Sequence, residues 1–78
     1  MHLEVITPDL TLYDGDVTLV QLPGIDGSFE LLEGHAPLVS ALQKGKLKIV
    51  DKHKVTKYID INGGIIEISK NKVIVLAE

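Results

Sequence analysis

The hydrophobic residues of this chain alternate with polar residues or form short mixed runs, and turn-forming residues interrupt them at brief intervals. Successive strand residues point to opposite faces, so a period of two is typical of β-strands. Val, Ile and Thr dominate the runs, and their branched side chains favour extended backbone. The pattern predicts an all-β fold. The predicted strands are His2–Ile6, Leu10–Tyr13, Val17–Leu22, Ser28–Leu32, Leu38–Leu42, Leu47–Val50, Val55–Ile61, Ile65–Ser69 and Val73–Leu76.

The segments between these strands are rich in Gly, Pro, Asn and Asp, the residues that favour turns. Asp14-Gly15-Asp16 is predicted to be a turn, because the rest of a twelve-residue calcium loop is missing. Asn62-Gly63-Gly64 is predicted to be a hairpin-type turn between two apolar strands, in which Asn62 would tolerate a positive φ. Ala36–Leu42 has an alternative, since Pro37 could also start a helical turn.

Nine short strands in so small a chain are expected to form two packed sheets, because one open sheet would leave an apolar face bare. Val73–Leu76 is apolar on both faces, and Val17–Leu22 is apolar on parts of both. One inner face accounts for only half of these residues. The other half predicts an outer surface that a partner covers.

Composition narrows the possible functions. Seventy-eight residues predict one domain spanning residues 1–78 that buries about 60 to 65% of its unfolded surface. The net charge is −3, all eight basic side chains are lysines, and only three residues are aromatic, which argues against nucleic acid as a partner. The lysine cluster around His53 is best explained as a solvated hairpin tip, ahead of a site for an acidic ligand.

No segment approaches the roughly 20 apolar residues that a membrane-spanning helix needs. The opening Met1-His2-Leu3-Glu4 also lacks the charged and apolar regions of a signal peptide. These features predict a protein that is made and kept in the cytoplasm.

The segment from Leu22 to Leu38 contains the best candidate site, because turn residues surround a single histidine there. His35 next to Glu33 could act as a general base, but no nucleophile completes a mechanism. The favoured alternative is that its ring bonds backbone groups of the loop. The predicted structural turn residues are Gly24, Gly27, Gly34, Pro37, Gly63 and Gly64.

No pattern in the chain predicts a metal, a cofactor or a catalytic group. His2 and Glu4 project from one face of the first predicted strand, but no third metal ligand is identifiable. Gly24–Gly27 lacks the lysine and the following helix of a phosphate-binding loop. A small metal-dependent enzyme is therefore less favoured than a free-standing β-sandwich interaction module.

One set of motifs runs through the chain: the unbroken string Gly34-His35-Ala36-Pro37-Leu38, the glycines before it, the pair Gly63-Gly64 and the closing run Asn71–Glu78. In these motifs the chain resembles the β-sandwich domain of the epsilon subunit of F-type ATP synthases. Glu30 and Glu33 depart from it, since the family usually has Gly and Pro there. Most relatives continue beyond the position of Glu78 into a helical hairpin associated with inhibition of ATP hydrolysis, an activity to which the resemblance does not extend.

The resemblance implies a two-sheet sandwich of about ten strands that does no chemistry itself. It also implies a place in the central stalk, at the cytoplasmic side of an energy-transducing membrane and without insertion into it. The implied partners are the gamma subunit and the ring of c subunits. The residues expected to face the ring are Asp26, Ser28, Glu30, Glu33 and His35.

Overall fold

The computed structural model describes residues 1–78, and every regular element in it is a strand. The prediction of an all-β fold is therefore confirmed. Eight strands form, compared with the nine that the pattern predicts and the ten that the resemblance implies. They are β1 (His2–Ile6), β2 (Thr11–Gly24), β3 (Gly27–Leu32), β4 (Leu38–Leu42), β5 (Gly45–Asp51), β6 (Thr56–Ile61), β7 (Gly64–Ser69) and β8 (Lys72–Ala77).

The missing strand results from the length of β2. The predicted turn at Asp14-Gly15-Asp16 is wrong, because these residues lie within β2 and pair with Glu4, Leu3 and His2 of β1. Pairing with β1 satisfies the backbone groups that a turn would have left to solvent. The helical alternative for Ala36–Leu42 is also wrong, since β4 begins at Leu38.

The strands form two layers that share β2. In the first layer the order is β1, β8, β7, β4, and in the second β3, β2, β5, β6. The first part of β2 pairs with β1, whereas its second part pairs with β3 and β5. A single bridge between Gly24 and Leu42 joins β2 to β4. The hydrogen-bonded network is thereby continuous around the core.

A bulge in β2 decides which of its side chains face inward. Val17 pairs with Asp51 and Leu19 pairs with Val50, so Thr18 is an extra residue opposite β5. The extra residue shifts the alternation, and Val17 and Val20 are both fully buried although simple alternation puts them on opposite faces. The two-sided apolar pattern of this strand is thus partly explained by the core itself.

The core contains sixteen buried hydrophobic side chains and no buried polar one. Its largest fully buried members are Leu3, Leu22, Leu31, Leu47, Ile49 and Ile66. They come from both layers, which explains how a chain this short holds a shape of 27 × 24 × 19 Å without disulfides.

The connection between β6 and β7 differs from its prediction. β6 pairs with β5, whereas β7 pairs with β4 and β8, so Asn62-Gly63-Gly64 crosses between layers and is not a hairpin turn. The positive φ angles belong to Gly63 and Gly64 and not to Asn62. At Gly64 a Cβ atom would lie 2.2 Å from the Leu76 carbonyl oxygen, so the crossing requires glycine there.

Candidate partner-binding surface

The residues predicted to face a partner lie at three places along β3. Asp26 occupies the two-residue turn between β2 and β3, while Ser28 and Glu30 project outward from β3 itself. Glu33 and His35 follow in the loop toward β4. A six-residue strand rises about 3.3 Å per residue, so Asp26 and Glu33 lie roughly 20 Å apart. The structure therefore does not gather these side chains into one cluster.

The β3–β4 loop is tied down at both predicted polar residues. The Glu33 carboxylate accepts a hydrogen bond from the Met1 α-ammonium group, which also donates to the Val17 carbonyl oxygen at 3.1 Å. His35 donates from Nδ1 to the Ala36 carbonyl oxygen at 2.9 Å. The histidine ring thus bonds the backbone of its own loop, as the structural alternative predicts.

The predicted turn glycines and Pro37 occupy the ends of strands and the loops between them. At Gly24, the last residue of β2, a Cβ atom would lie 2.6 Å from the Gly27 carbonyl oxygen, so the two strands approach too closely for a side chain. The others stand at the start of β3, in the β3–β4 loop, before β4 and at the β6–β7 crossing: Gly27, Gly34, Pro37, Gly63 and Gly64.

An open groove of about 470 Å³ lies beside the β2–β3 turn. Its walls come from residues 24 to 29 on one side and from Ser40 and Ala41 of β4 on the other. Ile25 at the turn is 59% exposed. The groove therefore combines an apolar side chain with backbone and hydroxyl groups, which suits a protein surface better than a metal or a phosphate.

The first layer presents an apolar row on its outer face. The register brings Ile6, Leu76, Ile65 and Ala41 side by side across four strands. We call this set the outer apolar row. Leu76 is 49% exposed and Ile65 is 48% exposed, and Val39 nearby is 67% exposed. A second groove, of about 310 Å³, extends the row past Ile6 along Thr7 and Pro8.

The sequence predicts such a surface but does not identify its members. The sequence evidence for this surface is that Val73–Leu76 is apolar on both strand faces. In β8, Val73 and Val75 are buried, whereas Leu76 is exposed. Among the residues beside Leu76, Ile65 lies on the preceding strand, whereas Ile6 lies near the other end of the sequence. Only the pairing register shows that they adjoin.

Tyr13 is the third residue of β2, and its side chain packs against the core. Burial raises the pKa of its phenol, and the nearby carboxylates of Asp51 and Asp16 raise it further. Lys57 places its ammonium group 5.7 Å from the centre of the ring. The phenol is protonated at neutral pH, and its ring packs against the core as a partly buried side chain.

Comparison with models of protein families identifies the family of this chain. The model of the ATP synthase delta/epsilon chain β-sandwich domain matches residues 1–78. The chain belongs to this family.

Curated relatives of the chain are named ATP synthase epsilon chain. The Chlorobium limicola protein is 42% identical over 76 residues, which cover 97% of this chain and 86% of the relative. The Lawsonia intracellularis protein is 46% identical over 78 residues, but these cover only 58% of its length. A Campylobacter concisus relative is 42% identical, with 60% of its length covered. The delta/epsilon-type domain thus spans just over half of some relatives and most of others.

Solved structures show the same fold in more distant proteins. A chain of the Euglena gracilis mitochondrial ATP synthase superposes with a TM-score of 0.89 at 19% identity, over 96% of this chain and 48% of that one. A chain of the Tetrahymena thermophila central stalk and c-ring structure gives a TM-score of 0.80 at 17% identity, over 99% of this chain and 62% of that one.

The structure of this chain contains no helix that is long and apolar enough to span a membrane.

Proposed function

We propose that this chain is a rotor subunit in the central stalk of a proton- or sodium-translocating F-type ATP synthase. It binds the gamma subunit and the ring of c subunits, at the cytoplasmic side of the membrane and without inserting into it. It performs no catalysis and forms one domain over residues 1–78. Membership of the delta/epsilon family over the whole chain is the observation that supports this proposal most directly.

The outer apolar row supplies the surface for the gamma subunit. Half-exposed Leu76 and Ile65 sit beside Ile6 with no strand or loop of this chain over them. Apolar area that a partner removes from water contributes about 25 cal/mol per Å² before the costs of association. The row is continuous across four strands, so a flat partner surface can cover it in one contact.

The domain suits torque transmission because its interior is closely packed. The core is wholly apolar, and β2 joins the two layers by covalent continuity and by hydrogen bonds on both of its edges. Protein interiors pack as densely as organic crystals and resist compression. A load applied at one layer is therefore passed to the other with little deformation.

The first experiment compares two charge substitutions at apolar positions that are each about half exposed or more. Leu76→Asp places a carboxylate in the outer apolar row, whereas Val55→Asp does so on the β5–β6 hairpin, where Val55 is 59% exposed. We expect Leu76→Asp to weaken binding to purified gamma subunit by at least about tenfold in titration calorimetry, since a desolvated charge costs over 1.4 kcal/mol. Val55→Asp is expected to bind like the unmodified chain.

Equal affinities for the two variants would contradict the assignment of the gamma surface. Absence of any gamma binding by the unmodified chain would instead favour a free-standing interaction module. Circular dichroism before each titration verifies that both variants retain the strand content of the unmodified chain.

The second experiment asks whether the polar residues on and beside β3 contact the ring. Alanine at both Ser28 and Glu30 alters the side of β3 nearer the Asp26 turn, whereas alanine at both Glu33 and His35 alters the opposite loop. We expect either pair to reduce retention of the subunit in assembled, membrane-bound complex, because charged and polar loop residues fix such contacts. Normal retention and normal coupled ion pumping with both variants would exclude the region Asp26 to Pro37 as the ring contact.

A further inference from the structure

His2 forms a bridge between two carboxylates of the neighbouring strand. Its Nε2 atom lies 2.5 Å from Oδ1 of Asp14, and its Nδ1 atom lies 3.2 Å from Oδ1 of Asp16. Both aspartates belong to β2, and His2 and Asp16 are direct partners in the antiparallel register. The three side chains therefore span the start of the β1–β2 pair.

The geometry requires a particular charge on the histidine. An ionised carboxylate only accepts hydrogen bonds, so each of the two contacts needs an N–H on the imidazole. A neutral imidazole has one N–H, and its other nitrogen would turn a lone pair toward a carboxylate. Both contacts are satisfied together only by the imidazolium form.

We propose that His2, Asp14 and Asp16 form a pH-sensitive latch, which closes the start of β1 onto β2 when His2 is protonated and releases one contact when it is neutral. The latch acts through strand pairing within this chain, so it holds whether or not the proposed function is correct.

Other charged groups around His2 leave the latch intact. On β1 the next outward residue is Glu4, whose partner in the register is Asp14. On β8 the parallel partner of His2 is Lys72, while the His2 backbone N–H donates to the Asn71 carbonyl oxygen at 2.9 Å. The local balance is acidic, with three carboxylates to one lysine, and favours a cation at His2.

The direction of the pH effect follows from these contacts. Hydrogen bonds to Asp16 and then Asp14 raise the pKa of His2 above its ordinary value of 6.5. A group whose pKa is higher in the folded state stabilises the fold fully below its unfolded pKa, and this contribution is lost as pH rises through the folded pKa. The latch is therefore fully closed below pH 6.5 and opens only as pH rises through the raised pKa of His2.

The start of β1 links the latch to the rest of the fold. The Val17 backbone N–H donates to the Met1 carbonyl oxygen at 2.8 Å, one residue from His2. When the latch opens, this pair loses the support of the adjacent His2 side chain, while the Met1 α-ammonium group keeps its hydrogen bonds to Val17 and Glu33. The Val17 amide therefore reports the latch state through its hydrogen exchange.

The test combines a proton NMR titration with hydrogen exchange on the 78-residue chain. We expect the imidazole of His2 to titrate above pH 6.5. After correction for the intrinsic pH dependence, exchange at Val17 is expected to be several-fold faster above the His2 midpoint than below it. Exchange at Ile66, in the core of the first layer, is expected to show no such step.

Variants separate the latch from general stability. Replacing both aspartates, Asp14→Asn with Asp16→Asn, is expected to return the His2 midpoint toward 6.5 and to abolish the step at Val17. His2→Lys supplies a permanent cation and is expected to keep Val17 protected across the same pH range, while His2→Gln leaves it weakly protected throughout. The proposal is overturned if the double variant leaves the midpoint unchanged, or if Val17 exchange in the unmodified chain does not follow it.

Discussion

The two faces of β7 and β8 contain the same kinds of residue and meet opposite surroundings. On the inner face Ile66 and Val75 are fully buried and paired with each other in the register. On the outer face Ile65 and Leu76, also paired, are about half exposed. Ile65 and Ile66 are thus adjacent in one strand and of the same residue type, but they differ in solvent exposure.

This difference separates residues that hold the fold from residues that are free to bind. Removal of a buried methyl group costs transfer free energy and leaves a cavity, whereas an exposed one loses little on truncation. A hydrophobic residue in this chain can therefore serve either folding or partner binding. The face of the sheet on which it lies distinguishes the two roles, and the following predictions test this distinction on β7.

The largest effect is expected from Ile66→Ala. Ile66 is completely buried in the shared core, and truncation of a buried Ile to Ala typically costs about 2–5 kcal/mol of unfolding free energy. Urea denaturation followed by circular dichroism measures this loss. If the alanine variant does not fold, Ile66→Val provides a milder truncation with an expected cost of about 0.5–1.5 kcal/mol. An unchanged unfolding midpoint in both would place Ile66 outside the core.

A smaller loss is expected from Gly64→Ala at the start of the same strand. Gly64 has a φ of 151°, and an added Cβ would meet the Leu76 carbonyl oxygen at 2.2 Å, so the backbone must shift. Strained backbone of this type costs about 1–3 kcal/mol. Thermal unfolding of this variant beside Gly34→Ala provides the comparison.

Gly34 is a matched control, because it also has a positive φ, of 79°, but no atom lies within 4 Å of its added Cβ. Its substitution involves the left-handed conformation without the collision. A drop in melting temperature that is equal for the two variants would mean that the conformation alone, and not the close approach of β8, fixes glycine at position 64.

Much of this fold was predictable from local pattern. β1 and β4 begin and end at the predicted residues, and the other strands differ mainly by one or two residues at their ends. The errors share a cause, since both lie where pairing between distant strands overrides a turn signal. Asp14-Gly15-Asp16 stays extended because β1 pairs with it, and Asn62-Gly63-Gly64 is not a hairpin because its flanking strands join different layers.

The candidate surfaces were predictable only in kind. The two-sided apolar run at the chain end predicts that some outer face is apolar, but the partners of Leu76 become known only through its register with Ile6 of β1 and Ile65 of β7. The bridge from His2 to Asp14 and Asp16 was missed for the same reason, because it depends on the extension of β2 through a segment whose composition favours a turn.

The smallest effect on stability is expected from Ile65→Thr, immediately beside Ile66. The side chain is 48% exposed on the outer face, and threonine keeps the branched Cβ atom that suits a strand. Surface substitutions of this kind usually change unfolding free energy by less than about 0.5 kcal/mol. If Ile65 serves binding and not folding, the same variant loses affinity for the gamma subunit while its urea midpoint stays close to that of the unmodified chain. A fall in stability approaching that of Ile66→Ala would instead mean that both faces of β7 support the fold, since an exposed position would then carry the energetic weight of a buried one.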